Sequence, residues 1–268
     1  MRIAVHYRTH YRYSAPVRSI IQLLRLTPAD HAGQHVLDWR IDPSRDGILH
    51  PFTDAFGNRA HVFYCDGPVD DLALDVTGLV LTEDTSGVVR GAPEPLPPLF
   101  FRRITPLTCP DARIRALARD ATAGLGDALE RLHALMRAIH GAMTFDASAT
   151  EVTTGAHEAM ELGRGVCQDF AHVFCAAARE LGVPARYVSG HLARPERQPA
   201  KHAWAEAHVE GLGWVGFDAS AGLSPTAAYV RVATGLDYRD AAPVRGARQG
   251  GGEETLSVEV AAVHAGSQ

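Results

Sequence analysis

Cys167 stands in GRGVCQDFAH (Gly163–His172), between a glycine-rich approach and what reads as the first turn of a helix. A cysteine attacks a carbonyl only as the thiolate, and a free thiol has a pKa of about 8.5. The positive end of a helix and a nearby imidazolium both stabilise the thiolate. Gly163 and Gly165 break the preceding helix and allow a tight turn, so that Cys167 opens the next helix. The N–H groups at that helix start point outward and can hold the oxyanion of a tetrahedral intermediate. On this segment alone, packed thiol, metal ligand and nucleophile all stay open, because buried structural cysteine is the commonest kind.

Two further segments narrow the choice. HAWAE reads as a strand that begins at His202, with His202, Trp204 and Glu206 on one face. WVGFDAS carries Asp218 on the next arm, across the turn Gly211-Leu212-Gly213. Antiparallel pairing about that turn brings Asp218 opposite the start of the first arm. Its carboxylate can then accept a hydrogen bond from one ring nitrogen of His202 and leave the other nitrogen for the thiol proton. The competing reading of Asp218 is a strand-ending aspartate. Zinc is the competing reading of the cluster, with His172 and Cys175 joining Cys167 and His202. The interval from Cys167 to Cys175 is too long for the ligand pair of a compact zinc site, typically about two to four residues. Cys65 and Cys109 complete a set of four cysteines without a C-x-x-C pair, which argues against a zinc ribbon and a disulfide scaffold.

The elements around these residues divide into two groups. RIAVHYRTHYRY alternates apolar and basic residues with a period of two, and SIIQLLRL, HVLDWRID, AHVFYC and LALDVTGLVLT add short β-like runs separated by turn-rich pieces. They predict a β-sandwich. GAPEPLPPLF, Gly91–Phe100, is proline-rich and reads as a linker. Helical periodicity follows, with Thr108–Asp111 at capping-box spacing before DARIRALARDATAG, and Asp127 and Glu130 before a helix whose apolar face holds Leu129, Leu132, Leu135, Met136, Ile139 and Met143. After the cysteine, Phe170, Phe174, Ala177, Ala178 and Leu181 form a helical stripe ended by Gly182 and Pro184. PARYVSGHL, HAWAEAHVE and GWVGFDAS then read as strands, and TLSVEVAAV as a last strand of either group.

The three motifs GVCQDFAH, HAWAE and WVGFDAS resemble, in order and spacing, those of bacterial transglutaminase-like proteins, which share the papain-like thiol fold. QLLRLTP and DAFGN resemble pieces of that family's β-rich N-terminal domain, and YRDAAPVRG the segment after its core. The resemblance implies Cys167 as nucleophile, His202 as base and Asp218 as the residue that orients it. It also implies an α+β chain: an N-terminal β-sandwich over 1–90, a linker over 91–107, a transglutaminase-like core over 108–248 in which the cysteine helix packs on an antiparallel sheet, and a glycine-rich link with a C-terminal strand over 249–268. Lys201 and Leu236 depart from the family pattern, which has a small residue and an arginine there. Glu161 stands where papain-type enzymes carry an oxyanion glutamine, and an ionised carboxylate cannot donate.

The remaining composition sets limits. A net charge of −5 over 268 residues gives no sign of nucleic acid or an anionic membrane as partner. The N-terminus has no apolar run of signal-peptide type, and no stretch is apolar for long enough to span a bilayer. The expectation is a cytoplasmic thiol hydrolase or transamidase without cofactor or metal, acting on a peptide or protein amide, with a non-catalytic peptide-binding module as the rival.

Overall fold

The computed structural model describes residues 1–194 and 201–266. The chain opens with β1 (Arg2–Leu24), β2 (Gln34–Pro43), β3 (Ile48–Thr53) and β4 (Arg59–Thr82). The period-two alternation of the first residues is realised directly: Ile3, Val5, Tyr7, Thr9 and Tyr11 are buried, and Arg2, His6, Arg8 and Arg12 face out. The strands read separately as RIAVHYRTHYRY and SIIQLLRL are one strand, as are AHVFYC and LALDVTGLVLT. β1 and β4 pair antiparallel along most of their length, with register shifts between Arg12 and Ser19. Bulges, not turns, occupy the small and proline residues of those joints. A Cβ on Gly67 would overlap the carbonyl oxygen of Val17, so the close approach of the two strands requires glycine there. The sandwich is therefore one continuous bent sheet whose two halves share a core, with Tyr7 and Tyr11 from one half of β1 in the same cluster as Ile20 and Leu24 from the other.

β5 (Val88–Val89) follows, then 3-10 turns at Pro98–Arg102 and Pro106–Thr108, α1 (Ala112–Thr122), α2 (Ala128–Ala142), β6 (Thr144–Phe145), α3 (Ala156–Leu162), β7 (Arg164–Gly165) and α4 (Cys167–Glu180). β8 (Ala185–Leu192), β9 (Lys201–Val209), β10 (Gly213–Phe217) and β11 (Tyr229–Gly235) form with β5 a second sheet in the order β11-β8-β9-β10-β5. The helix starts are set by capping. Asp111 accepts from the amide of Ile114 and Asp127 from that of Glu130. Thr108 does not cap α1; its hydroxyl accepts from the amide of Thr105 within the preceding turn. α4 ends as its sequence predicts, with Gly182 at φ +79°.

Alanines on both partners bring α4 close to β9. Ala171, Ala177 and Ala178 of the helix lie in one buried cluster with Ala203, Ala205 and Ala207 of the strand. Phe174 stacks on Phe217 with ring centroids 5.1 Å apart, which ties the helix to the strand that leads into Asp218. A buried phenylalanine of this kind contributes about 1.5–3 kcal/mol of burial energy.

The chain ends in the first sheet, which settles where TLSVEVAAV goes. After α5 (Tyr238–Ala241), β12 (Val244–Gly250) pairs with the second half of β1, and β13 (Glu254–His264) with its first half. Residues 244–248, expected to close the core, thus belong to the first sheet, while Val88 and Val89, expected in the first domain, pair with β10. Backbone pairing sets these assignments, and composition does not reveal it. The edge of the second sheet is covered by side-chain amides of the first unit. Gln34 exchanges two hydrogen bonds with the backbone of Arg231, and Asn58 two with Thr234. Each amide acts as a one-residue neighbouring strand for β11, and so shields an otherwise open edge.

Cleavage within Gly91–Phe100 is expected to give a nicked protein whose two fragments stay together. Under native size-exclusion chromatography they should co-elute at the intact mass, and they should separate only in denaturant, because β12 and β13 lie after the cut and pair before it.

Candidate active site

Local structure places Cys167 first. Gly163 ends α3 in the left-handed region at φ +63°. Thr144 and Phe145 then pair in parallel with Arg164 and Gly165, which aims the chain into α4. A Cβ on Gly165 would lie 2.5 Å from Asp169 Oδ2, so only glycine lets the carboxylate fold back over the turn. That carboxylate accepts from the amide of Val166 at 2.8 Å and from the Thr150 hydroxyl at 2.6 Å. Asp169 thus closes the helix start, where a negative charge also suits the dipole. Cys167 is the first residue of α4, half-buried, and its amide and that of Gln168 have no intrahelical acceptor.

His202 sits at the start of β9, and its Nε2 lies 2.5 Å from Asp218 Oδ2. The hairpin register pairs Phe217 with Ala205, so Asp218 arrives level with Trp204, beside His202. The imidazole lines the same cleft as Cys167, and its interaction with that thiol helps to hold it charged. With Nε2 engaged by Asp218, Nδ1 is the nitrogen left for sulfur. The structure therefore brings together the three residues singled out by sequence.

The electrostatics favour a charged imidazole. Burial alone would push the His202 pKa down, but the hydrogen bond to Asp218 and the interaction with the Cys167 thiol outweigh it and raise the pKa to about 9. Burial likewise pushes Asp218 up, and its hydrogen bond and charge interaction with His202, with help from Ser220 and Tyr229, bring it below the usual carboxylate range. Asp218 is fully buried, and both of its oxygens are met. Oδ2 accepts from the Tyr229 hydroxyl at 2.8 Å as well as from His202, and Oδ1 from the amides of Ser220 and Ala221 and the Ser220 hydroxyl.

Trp204 is buried, stacks beside His202 and meets the Tyr229 ring edge-to-face, so both rings pack around the buried His202–Asp218 pair. Tyr229 and Ser220, which hold Asp218, are residues of the candidate site that the sequence did not reveal. Tyr229 comes from β11, two places away from β9 in the sheet, and no spacing along the chain announces that neighbour.

The other candidates fall elsewhere. His172 is fully buried, accepts the Tyr238 amide on Nε2, and is pushed down to about 4 by burial. Burial pushes the Cys175 thiol up to about 11. Among the described residues, no three His, Cys, Asp or Glu side chains gather in a metal-binding group. Glu161 is exposed and paired with Arg113, and so has no part in an oxyanion site. Leu236 packs with Phe101 and Trp214. Glu206 is buried between Arg186 and Arg231, which hold its carboxyl down at about 2 against the cost of burial. Arg186 also pairs with Glu94 and lies 3.9 Å over the ring of Trp214, so the proline-rich segment is pinned to the core.

A cleft of about 290 Å³ opens beside the sulfur. Its walls come from both sheets: Tyr7, Arg25 and Leu26 from the first unit, and Cys167, Gln168, Tyr187, Lys201 and His202 from the second.

Comparison with known proteins agrees with this architecture. Residues 115–219 match the model of the transglutaminase-like superfamily, and residues 3–81 that of the bacterial transglutaminase-like N-terminal region. An uncharacterized protein of Mycobacterium leprae is 29% identical over 276 residues, covering 97% of each chain. Another, from Mycobacterium bovis, is 30% identical over 275 residues, covering 91% of this chain and 87% of its own. A solved structure from Cytophaga hutchinsonii, described as a "putative cysteine protease", superposes with a TM-score of 0.78 at 23% identity, over 100% of this chain and 92% of that one. At that identity the likeness speaks for the fold.

The His202 ring should hold its proton at neutral pH and lose it near pH 9. In Asp218→Asn the midpoint, followed by NMR of the imidazole carbons, should fall toward the ordinary histidine value of about 6.5, because the amide carries no charge to stabilise the imidazolium. Tyr229→Phe removes one hydrogen bond to a charged oxygen and should cost about 1.5–3 kcal/mol in denaturant unfolding.

Proposed function

This chain belongs to the transglutaminase-like superfamily, and we propose that it is a thiol acyl-transfer enzyme acting on peptide or protein amides, with hydrolysis as its main outcome. The reading is carried by one observation: a cysteine at a helix N-terminus shares a cleft with a histidine whose Nε2 is held by a buried carboxylate.

Each step uses groups already in place. His202 holds the thiol proton, and the thiolate of Cys167 attacks the amide carbonyl. The oxyanion faces the free amides at the start of α4, where the helix dipole also favours negative charge. The C–N bond breaks as His202 gives its proton to the leaving amine, and a thioester remains on Cys167. Water then attacks the thioester, His202 takes its proton, and the acid leaves as the thiol is restored. Asp218 stays ionised and keeps Nδ1 aimed at sulfur.

A second amine in place of water would make the protein a transglutaminase. The cleft argues for water: Lys201 and Arg25 line it, and none of its described lining residues is a carboxylate that would attract a lysine ammonium.

At pH 6–7, iodoacetamide should modify Cys167 well ahead of Cys109, which is exposed, and of the buried Cys65 and Cys175. Cys167→Ala should abolish turnover of a responsive peptide, and His202→Ala should come close to that. Incubation with glutamine-containing peptides and a labelled primary amine should give cleavage or deamidation in excess of amine incorporation. Equal, slow labelling of all accessible cysteines would instead favour a peptide-binding module.

A further inference from the structure

The cleft beside Cys167 carries charge of one sign only. The protein has a net charge of −5, yet the ionised side chains among the described lining residues, apart from the Cys167–His202 pair, are the cations Lys201 and Arg25. Lys201 is the first residue of β9, exposed, and adjacent in sequence to His202. Its ammonium lies 5.9 Å from the Tyr238 ring centroid and close enough to Cys167 for the two charges to interact.

Arg25 reaches the cleft from the first unit, just past the end of β1. Asp54 takes its Nε at 2.7 Å and offsets much of its charge, whereas its Nη1 is buried without a hydrogen-bond partner. A buried donor left in that state is costly, about 1–3 kcal/mol, and native proteins rarely leave one. Arg25 thus contributes an unused donor, and Lys201 a cation that no carboxylate among the described lining residues meets. The rest of the cleft is largely aromatic and apolar, with Tyr7, Tyr187 and Tyr238 among its walls. Such surroundings strengthen an ionic contact relative to water.

We propose that the acyl part of the substrate bears a carboxylate close to the scissile carbonyl, as an acidic side chain or a free carboxyl group would, and that Lys201 is the residue that selects it. This rests on the acyl-transfer reading of the same site and adds the substrate class. None of the described residues that line the cleft offers Lys201 a carboxylate, and a substrate carboxylate within about 4–6 Å of it would supply one while Cys167 attacks.

The test uses two alkylating reagents of nearly equal size, iodoacetate and iodoacetamide, on the full chain. The rate of Cys167 modification by each is followed by mass spectrometry at pH 7 and low salt. The imidazolium of His202 attracts the anion by itself, so the ratio of the two rates is compared between variants and not with a free thiol. The ratio of iodoacetate to iodoacetamide should fall about fivefold or more in Lys201→Met, stay near the wild-type value in Lys201→Arg, and shrink in 0.5 M salt. Lys201 is exposed, so the variants should fold; matching circular dichroism and thermal midpoints check this.

A ratio that is the same in wild type and Lys201→Met, with Cys167 still labelled selectively, would overturn the carboxylate assignment and leave the acyl-transfer reading standing. Failure of both reagents to single out Cys167 would overturn both.

Discussion

A fully buried carboxylate is the constraint to which the Cys167 end of this molecule is built. Removing an ionised group from water costs several kcal/mol unless its oxygens are met by donors and an opposite charge. Asp218 is met by one ring nitrogen, two hydroxyls and two amides. Supplying them requires the β9–β10 hairpin to deliver His202, the turn after β10 to fold its amides back, and β11 to stand on the far side of β8 with Tyr229 pointing in. The sheet order is what makes one charge affordable, and that charge in turn keeps His202 protonated beside Cys167.

A second buried ionic group stabilises the same sheet farther along β9. Glu206 pairs with Arg186 and Arg231 in the interior, and Glu94, from the proline-rich segment, supplies the second carboxylate that balances the two guanidiniums. Such a group contributes little net stability compared with apolar packing, but loss of any single member leaves a buried charge without a partner. It therefore fixes which strand lies beside which, and it holds the segment between the two sheets against Trp214. Together with the Gln34 and Asn58 amides on the edge of β11, it locks the first sheet against the core. That locking gives the cleft two walls from different parts of the chain.

Much of this was legible from residue order. The alternation in β1, the capping aspartates at 111 and 127, the stripe along α4 and the glycine stop at 182 are local signals, set by side-chain direction and by unsatisfied backbone groups within one or two turns. The same holds for Cys167 at a helix start and for the hairpin that sets Asp218 beside His202, because a short turn fixes register. The joints at Pro16 and Gly67 misled, since a bulge and a turn use the same residues, and only the long pairing of β1 with β4 distinguishes them.

Sequence alone singled out Cys167, His202 and Asp218 and their order, since each sits in an element whose geometry is set by its immediate neighbours. Tertiary structure decided everything that needs a non-local partner. It returned the last two strands to the first sheet, turned His172 and Cys175 into the core, brought Tyr229 to the carboxylate and set Arg25 and Lys201 on the wall of one cleft. These contacts join residues tens to hundreds of positions apart, and their pairing depends on which sheet edges and buried charges can be satisfied together. A linear pattern does not encode that choice.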